Sequence, residues 1–500
     1  MNEIMFYNKS ARIFIFFLAL YFVAAGCHAN KKEVTFAFMG DLHYNLNSPQ
    51  TTDSLVQAVK AEINTLETQP EFLIQTGDFF HSGKDVNIED EAELAFDHFS
   101  SIIGIPYYIS KGNHDSKVHY EKNALPLFTK ELEKDVRKSY YSFDKGNSHF
   151  IMLDCTEKNL DEMLLWLEKD LGSAKSDPEI EHIFAAGHYP LWIVARAGFT
   201  PAEYADSVSK LMAEYGVDAY FCGHTHNKTV TVRIIDGQPV TQIMDAAVVE
   251  KGRLNNLAPF LNHVAGQPAD LSRPGILALE ECHQIFIPEA ELKYYHGYQE
   301  GSTTSYYIMT VNGKSVQADW YVLGQGLVHS FKWDEPGKLI DLKSPEKAIR
   351  QPIPENEMLE ISKAWLYAAL WIEKDSVSAP LEINGIPAGT FDISRRKMAA
   401  SPFWNKVEIL LDETVVKAIR KNNEISVGNP SDARFGLAHI FLLVQFNDGK
   451  FARTNIAPKV LTSFDPSGGT YPHFPAAELL DSVNEGEMLK KVSLNFGFYY

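Results

Sequence analysis

Short apolar runs that alternate with longer amphipathic segments are the feature that most constrains what this chain can fold into. The alternation extends from residue 33 to about 325. Because buried strands are short and helices are longer, the pattern predicts an α/β domain in which strands are joined by helices. The predicted strands are Val34–Met39, Phe72–Gln75, Pro106–Ile109, His149–Leu153, Ile183–Ala186 and Asp218–Phe221, and the predicted helices are Ser54–Thr68, Glu91–Ile102, Asn159–Leu171 and Pro201–Tyr215.

The composition is that of a globular protein with more than one core. The chain has 500 residues, of which 45% are hydrophobic and 22% are charged. Such a chain is too apolar to be disordered and long enough to form several domains. The formal net charge is −19, and no run rich in Lys or Arg is present. An acidic surface repels phosphate backbones, so general nucleic-acid binding is not expected.

The later part of the chain divides into four further predicted segments. Residues 251–301 are rich in proline and aromatic residues, which predicts an insertion or a long irregular excursion. Residues 305–321 read as a hairpin with an Asn-Gly turn that closes the first domain, residues 33–325. A polar, proline-bearing stretch at 333–356 is predicted to be a linker. Residues 357–500 have short strand patterns separated by Gly, Asn and Pro, which predicts an all-β sandwich.

The N-terminal residues have the pattern of an export signal. Two basic residues precede the uncharged run Ile13–Gly26, which is shorter than the roughly 18 residues of a membrane-spanning helix. Ala24–Cys27 resembles the lipobox of bacterial lipoproteins, so residues 1–27 are predicted to be a signal peptide that ends in a lipid anchor on Cys27. Ordinary cleavage nearby, for instance after Ala29, is the alternative. Either way, the expected location is the periplasm or the cell surface.

Five short polar segments, each just after a predicted strand, carry the chemistry. They are Gly40–His43, Gly77–Phe80, Gly112–Asp115, Gly187–His188 and Gly223–His226. Strands of an open α/β sheet end at a common crevice, so these segments can meet at one place. The leading glycines are expected to let the backbone turn tightly. A single Gly-Asp pair is usually a turn, but five such segments together predict a site whose Asp, Asn and His side chains suit Mn, Fe or Zn.

In this order the segments resemble the signature of the calcineurin-like metallophosphoesterases. That signature reads Asp-x-His, Gly-Asp-x-x, Gly-Asn-His-Asp/Glu, Gly-His and Gly-His-x-His. Tyr140–Asp154 and Tyr215–His224 also resemble members of this family, which includes purple acid phosphatases and cyclic nucleotide phosphodiesterases. The resemblance covers residues 33–325 and implies a layered αββα sandwich in an exported bacterial member of the family. It does not extend to the C-terminal third.

The resemblance also implies a dinuclear metal site and a role for each polar residue. One metal ion is expected on Asp41, His43 and His226, the other on Asn113, His188 and His224, with Asp78 bridging the two. An anionic bridge is physically sensible because it lowers the repulsion between two nearby dications. A hydroxide shared by the ions would attack phosphorus. His114 would stabilise the transition state or protonate the leaving oxygen, and Asp115 would orient the His114 imidazole.

One position departs from the purple acid phosphatases. The third residue after their bridging aspartate is an iron-binding tyrosine, and here it is His81. A tyrosinate–iron centre is therefore not expected, and the identity of the metal stays open. Tyr189 and Trp192 follow Gly187–His188 and are expected either to border the substrate or to pack in the core.

Two functions are compatible with the sequence. The first is an exported phosphoesterase that hydrolyses small phosphate mono- or diesters. The second is a surface lipoprotein that binds carbohydrate or another ligand and retains an inactive phosphoesterase scaffold. The complete set of seven ligands with His114 favours the first, because a scaffold has no need of costly buried polar groups. The C-terminal segment Asn423–Pro430 resembles jelly-roll modules of exported hydrolases, which implies either glycan or cell-surface contact or packing alone.

Overall fold

The structure is a computed structural model of the chain. The residues that it describes are 33–44, 49–80, 89–192, 194–195, 200–226, 228–245, 284–285, 291–298, 304–344, 351–353, 360–372, 376–394, 405–428, 435–455, 457, 460–462, 480–482 and 492–499. The predicted signal peptide with Cys27, and also His81, lie outside these residues.

Up to residue 344, strands and helices alternate as the apolar pattern predicts. The strands are β1 (Glu33–Met39), β2 (Phe72–Gln75), β3 (Tyr107–Ile109), β4 (Tyr141–Lys145), β5 (Ser148–Met152), β6 (His182–Ala186), β7 (Val194–Ala195), β8 (Ala219–Cys222), β9 (Lys228–Ile235), β10 (Gln238–Met244), β11 (Gln284–Ile285), β12 (Leu292–Tyr298), β13 (Ser305–Asn312), β14 (Ser315–Val322), β15 (Gly326–Trp333) and β16 (Ile340–Lys343). The helices are α1 (Pro49–Ile63), α2 (Glu89–Ile103), α3 (Lys117–His119), α4 (Leu125–Leu132), α5 (Leu160–Ser176) and α6 (Ala202–Tyr215), and a π-helical turn, Tyr120–Ala124, joins α3 to α4.

Apart from the separate pair β7 and β11, the described strands of this region form two sheets that pack face to face. The first sheet has the order β16-β15-β14-β13-β1-β2-β3, and the second has the order β12-β9-β10-β8-β6-β5-β4. Phe36 of β1 lies 5.1 Å from Phe150 and 5.7 Å from Phe184 of the second sheet, measured between ring centroids. Alternate side chains of facing strands thus fill a shared aromatic core between the sheets.

Helices cover the outer face of each sheet. Phe96 of α2 stacks on Phe79, next to the first sheet, with 4.5 Å between ring centroids. On β5, Phe150 points between the sheets, whereas Ile151 points outward and joins a cluster with residues of α5 and α6. The arrangement is therefore the predicted αββα sandwich, and this part of the fold prediction is confirmed.

Parallel pairing brings the polar loops to one edge. Strands β1, β2 and β3 are mutually parallel, and so are β5, β6, β8 and β10. The connecting helices begin and end at ordinary caps. The side chain of Asn159 accepts from the N–H of Glu162 at the start of α5, and α6 ends at Gly216 with a φ of 64°. As a result, the carboxyl ends of β1, β2, β3, β6 and β8 all face the same crevice.

Two predicted irregular segments contain regular strands. Within residues 251–301, β12 pairs antiparallel with β9 and extends the second sheet, and β11 pairs with β7. The prediction of an excursion was therefore wrong for these strands; residues 251–283 lie outside the described part. Within the predicted linker 333–356, β16 pairs with β15 and extends the first sheet. Both strands lie at sheet edges, where one unpaired side weakens the apolar pattern.

The C-terminal region is all-β in its described residues, apart from one short helix, as predicted. Its strands are β17 (Gln351–Pro352), β18 (Ile361–Ile372), β19 (Ser376–Ile383), β20 (Ile386–Ser394), β21 (Asn405–Leu410), β22 (Asn422–Val427), β23 (Phe435–Phe446), β24 (Phe451–Thr454), β25 (Val460–Thr462), β26 (Leu480–Ser482) and β27 (Val492–Tyr499), and the helix is α7 (Glu413–Ala418). They form one hydrogen-bonded sheet around a core drawn entirely from residues 353–496.

Among the described residues, no helix is both long enough and apolar enough to cross a membrane.

Candidate metal centre

The five polar segments meet at the carboxyl edge of the two sheets. Three side-chain groups, each with its ligand atoms within 4.8 Å of one another, have the composition of metal sites: Asp41, His43 and His226; His43, Asp78 and His114; and Asp78, His188 and His224. The groups share members, so they form one continuous cluster. The sequence prediction placed these residues together, and the structure brings them together.

The first group joins the ends of β1 and β8. The Nε2 of His226 lies 3.3 Å from Asp41 Oδ1 and 3.0 Å from the Nε2 of His43. All three side chains are buried. Burial and the neighbouring His226 lower the pKa of His43 well below its ordinary value. His43 is therefore neutral, which is the form of imidazole that binds a metal.

The second predicted set of metal ligands, Asn113, His188 and His224, lies around His188. Its Nε2 is 3.1 Å from Asp78 Oδ2 and 3.1 Å from Asn113 Oδ1, and its Nδ1 is 2.8 Å from the carbonyl oxygen of Thr76. The Thr76 contact fixes the ring so that Nε2 faces the cluster. The ring of His224 packs edge-on to His188 with centroids 5.1 Å apart.

Asp78 lies between the two groups. Its Oδ2 is 3.1 Å from His188 Nε2 and 3.7 Å from His43 Nε2, and these two histidines belong to different groups. Burial would raise the pKa of Asp78, but the charge and the hydrogen bond of His188 outweigh burial and hold this pKa well below its usual range. A buried, ionised carboxylate between two sets of imidazoles has the position expected of a bridge.

His114 lies on the open side of the cluster. Its Nε2 is 4.0 Å from Asp78 Oδ2, its ring packs edge-on to His43 at 4.9 Å, and its side chain is 39% exposed. The backbone N–H of His114 donates to Asp78 Oδ1 at 2.8 Å. This histidine therefore adjoins the candidate bridge and can also meet a molecule that enters from solvent.

Asp115 connects two of the ligand segments. Its carboxylate accepts from the backbone N–H of Gly112 at 2.8 Å and from that of Phe80 at 3.0 Å, and it is buried. Burial and the charge of Asp78 raise its pKa to about 6. The structure thus gives Asp115 the role of a clamp between the loops after β2 and β3. Orientation of His114 by Asp115 stays a prediction.

Glycines allow the ligand segments to approach closely. A Cβ on Gly112 would overlap the backbone nitrogen and Oδ1 of Asp78, and a Cβ on Gly223 would overlap the carboxylate of Asp41. Neither glycine has a positive φ, whereas Asp41 and Asp78 have φ values of 44° and 51°. The prediction that the glycines supply the tight turn was therefore wrong at Gly112 and Gly223. The ligands themselves take the left-handed conformation, and these glycines make room for them.

Two aromatic residues that follow His188 are buried. Tyr189 packs edge-on to His224, with ring centroids 4.6 Å apart, and Trp192 donates from Nε1 to Thr231 at 2.8 Å. They are 7% and 5% exposed, respectively. This burial supports packing in the core rather than a position at the border of the substrate.

Two buried tyrosines that support a ligand loop were not predicted from the sequence. Tyr220 of β8 donates to the carbonyl oxygen of Tyr189 and contacts Tyr204 of α6, so this tyrosine pair supports the turn at Gly187–His188. A buried tyrosine in a predicted strand carries no local signal of such a role. Only the packing of α6 on the second sheet reveals it.

The donor set fits a pair of divalent metal ions. It combines carboxylate oxygens, an amide oxygen and imidazole nitrogens, and its described members include no thiolate. Asp78, shared by two of the groups, supplies the anionic bridge that two nearby cations require.

Comparison with known proteins gives the same assignment. Residues 34–228 match the sequence model of the calcineurin-like phosphoesterase family. These residues are similar to calcineurin-like phosphoesterases. The match begins at β1 and ends at the first residue of β9, so it contains every predicted ligand.

Curated proteins similar to this part of the chain include phosphatases and a phosphodiesterase. Tartrate-resistant acid phosphatase type 5 of Rattus norvegicus is 29% identical over 232 residues, which is 41% of this chain and 69% of the relative. The same phosphatase of Oryctolagus cuniculus is 30% identical over 31% of this chain and 55% of its own length. The glycerophosphodiester phosphodiesterase GpdQ of Enterobacter lignolyticus is 24% identical over 35% of this chain and 62% of its own length. The matches therefore cover about half to two thirds of each relative.

Proposed function

We propose that this protein is an exported phosphoesterase that uses two divalent metal ions to hydrolyse phosphate esters. The observation that carries the proposal is the position of Asp78, whose carboxylate lies within 3.1 to 3.7 Å of histidines from both metal-binding groups. The phosphatase and phosphodiesterase relatives support the reaction class.

Different residues of the chain have different roles in the proposed reaction. When bound, the two ions would lower the pKa of a water molecule and neutralise charge on the phosphoryl oxygens. Asp41, Asp78 and the buried histidines hold and space the ions. His114, at the exposed side of the cluster, is placed to donate a proton to the leaving oxygen.

A side-by-side assay of a monoester and a diester tests the proposal. The purified chain is stripped of metal, reloaded with Mn, Fe or Zn, and given p-nitrophenyl phosphate or bis-p-nitrophenyl phosphate. We expect metal-dependent release of p-nitrophenol and its loss in Asp78→Asn. Binding of two ions with no turnover of either ester would contradict the proposal and favour an inactive scaffold with a binding function.

Export and anchoring are a second part of the proposal. The apolar run before Cys27 and the small residues next to it support a lipid anchor. In a bacterial host, the full chain should fractionate with membranes, and Cys27→Ser should release it or block its processing. A soluble fraction that is the same for both forms would contradict the anchor. Glycan contact through the C-terminal region is likewise proposed, and co-sedimentation of the full chain with cell-wall polysaccharide tests it.

A further inference from the structure

A buried lysine closely follows one of the metal ligands in the sequence. Lys228 is the first residue of β9, two positions after His226, and it is fully buried. Its Nζ lies 2.7 Å from Nδ1 of His296 and 2.6 Å from Nδ1 of His329. It also lies 5.3 Å from the centre of the Trp320 ring. Two imidazoles and an aromatic face thus surround the amine.

The partners of Lys228 come from both sheets. His296 is on β12 of the second sheet, whereas His329 and Trp320 are on β15 and β14 of the first sheet. The Nε2 of His329 lies 3.1 Å from Asp341 and donates to that carboxylate, so its Nδ1 is the acceptor for Lys228. Burial lowers the pKa of His329 to about 3, which keeps this ring neutral. Lys228 therefore joins the two sheets through hydrogen bonds.

The first metal-binding group depends on the relative position of the same two sheets. Asp41 and His43 follow β1 of the first sheet, and His226 follows β8 of the second. The Nε2 of His226 lies 3.3 Å from Asp41 Oδ1 and 3.0 Å from His43 Nε2, so a small shift between the sheets would separate these ligands. His226 also has a φ of 55°, a conformation that is strained for a residue with a side chain.

The second group has a direct connection between the sheets. His188, from the second sheet, contacts the carbonyl oxygen of Thr76, from the first, at 2.8 Å. In addition, the backbone N–H of His224 donates to the carboxylate of Asp41, which ties Asp41, but not the side chain of His226, across the sheets. These contacts do not involve Lys228. Loss of the lysine should therefore affect the two groups unequally.

We infer that Lys228 is a positioning residue for the metal site formed by Asp41, His43 and His226. Its amine, bonded to imidazoles of both sheets, fixes the start of β9 and thereby the approach of His226 to Asp41. A buried amine is costly unless it is well paired, and an apolar side chain of similar volume is often at least as stable in such a place. The inference rests on the proposed function only in so far as that function requires this metal site.

The test measures metal binding by the full chain, separately from turnover. Lys228→Met keeps an unbranched side chain of similar length and removes the N–H donors of the amine. In a Mn²⁺ titration followed by calorimetry, with stoichiometry checked by elemental analysis, we expect one site to weaken by about 10–100-fold, the usual cost of losing a group that orients a ligand. The weakened site should be the one lost in His226→Ala, and the retained one should be the site lost in His188→Ala.

A milder pair of variants keeps the test decisive if Lys228→Met does not fold. His296→Phe removes one acceptor and retains an aromatic ring, which stacks on His329 at 3.7 Å in the native protein. His296→Asn places an amide oxygen near the position of Nδ1. We expect the Phe variant to lose affinity at the first site and the Asn variant to recover most of it.

A control separates positioning from general destabilisation. His182, at the amino end of β6, contacts Asp218 at 3.1 Å and the carbonyl oxygen of Gly313 at 2.8 Å, so it also joins the two sheets, but at the end of β6 opposite to His188. His182→Phe should lower the melting temperature and leave both manganese affinities unchanged. Wild-type affinity in Lys228→Met or His296→Phe, or an equal loss at both sites, would overturn the inference. A wild-type chain that binds two ions but hydrolyses no ester would overturn only the proposed function.

Discussion

At the scale of single residues, the metal cluster coincides with unusual backbone. Eight residues other than glycine have a positive φ among those that the structure describes, and five of them are predicted ligands: Asp41, His43, Asp78, His224 and His226. Each such conformation costs on the order of 1–3 kcal/mol and persists only where neighbouring contacts enforce it. Here backbone N–H groups bond the ligand carboxylates, as His224 does to Asp41. Hydrogen bonds within the chain thus support the strained conformation of the ligands.

Two substitutions should separate metal binding from proton transfer. Asp78→Asn removes the charge between the two groups, so metal content and turnover should both fall. His114→Asn leaves the buried ligands in place, so metal content should stay near wild type while the turnover number falls by about 10²–10⁴-fold. Esters with good leaving groups should lose less activity. Elemental analysis and kcat for a series of leaving groups check both results; loss of metal in His114→Asn would contradict its role.

The close approach at Gly112 predicts a large effect from one methyl group. Gly112→Ala places a Cβ against the backbone and carboxylate of Asp78, which should destabilise the protein by about 1–3 kcal/mol and abolish metal binding. Gly172→Ala is the matched control. Gly172 lies in α5, and its added Cβ would be 3.8 Å from the nearest atom, Tyr215, so about 0.5–1 kcal/mol of stabilisation is expected. Denaturant unfolding and metal titration of the two variants check the contrast.

The ligand residues could be predicted because several weak signals occur together in order. A polar segment follows each of five strands, and parallel strands end at one edge. The left-handed φ at Asp41 and the clamp formed by Asp115 could not be predicted, because both depend on contacts between loops that are far apart in sequence. The proposed role of Lys228 could not be predicted from the sequence either, because its partners lie on three other strands.

At the scale of secondary structure, one histidine joins a hairpin to a helix. His149 of β5 contacts Asp144 of β4 at 2.6 Å and Asp170 of α5 at 2.9 Å. Burial would lower the pKa of His149, but the hydrogen bonds and charges of Asp144 and Asp170 outweigh burial and raise the pKa to about 9. His149 is therefore charged at neutral pH and connects the β4–β5 hairpin to the outer helix layer.

This connection predicts a stability change at alkaline pH. The pKa of His149 is higher in the folded state than its ordinary value of 6.5, so its contribution is complete below pH 6.5 and is lost as the pH rises through about 9. The difference in unfolding free energy between wild type and His149→Gln should be largest below pH 6.5 and shrink towards pH 9. Asp144→Asn should move the decline to lower pH. A difference that grows with pH would contradict this assignment.

Most elements of the first domain were predicted to within a few residues. Pro201–Tyr215 became α6, Ala202–Tyr215, and Glu91–Ile102 became α2, Glu89–Ile103. The hairpin of β9 and β10 was overlooked, although its turn at Asp236–Gly237 is a strong signal in the sequence. Strands β12 and β16 were not predicted because edge pairing depends on a neighbour supplied from elsewhere in the chain.

At the scale of the whole molecule, the cores of the two regions are built from separate parts of the chain. The clusters of the phosphoesterase region use residues 34–333, and the C-terminal cluster uses residues 353–496. A chain that ends at residue 344 should therefore fold, bind metal and retain some turnover. A chain that ends at residue 330 lacks β16 and the buried Phe331 and Trp333, so it should not fold. Thermal melts and metal content of the two forms check this; unfolding of both would show that the C-terminal region completes the core.

The order of the strands along the chain has a consequence for biosynthesis. The strand β1, which positions Asp41 and His43, pairs on one side with β2 and on the other with β13, so that Ala37 lies opposite Leu73 and Ile308. The first sheet cannot close until residues 305–312 have left the ribosome, and pairing across so long a stretch of chain is slow. Metal loading is therefore expected to follow the pairing of β13 with β1. A chelator present only during translation should leave the final yield of metal-loaded protein unchanged, whereas one present during maturation should abolish it.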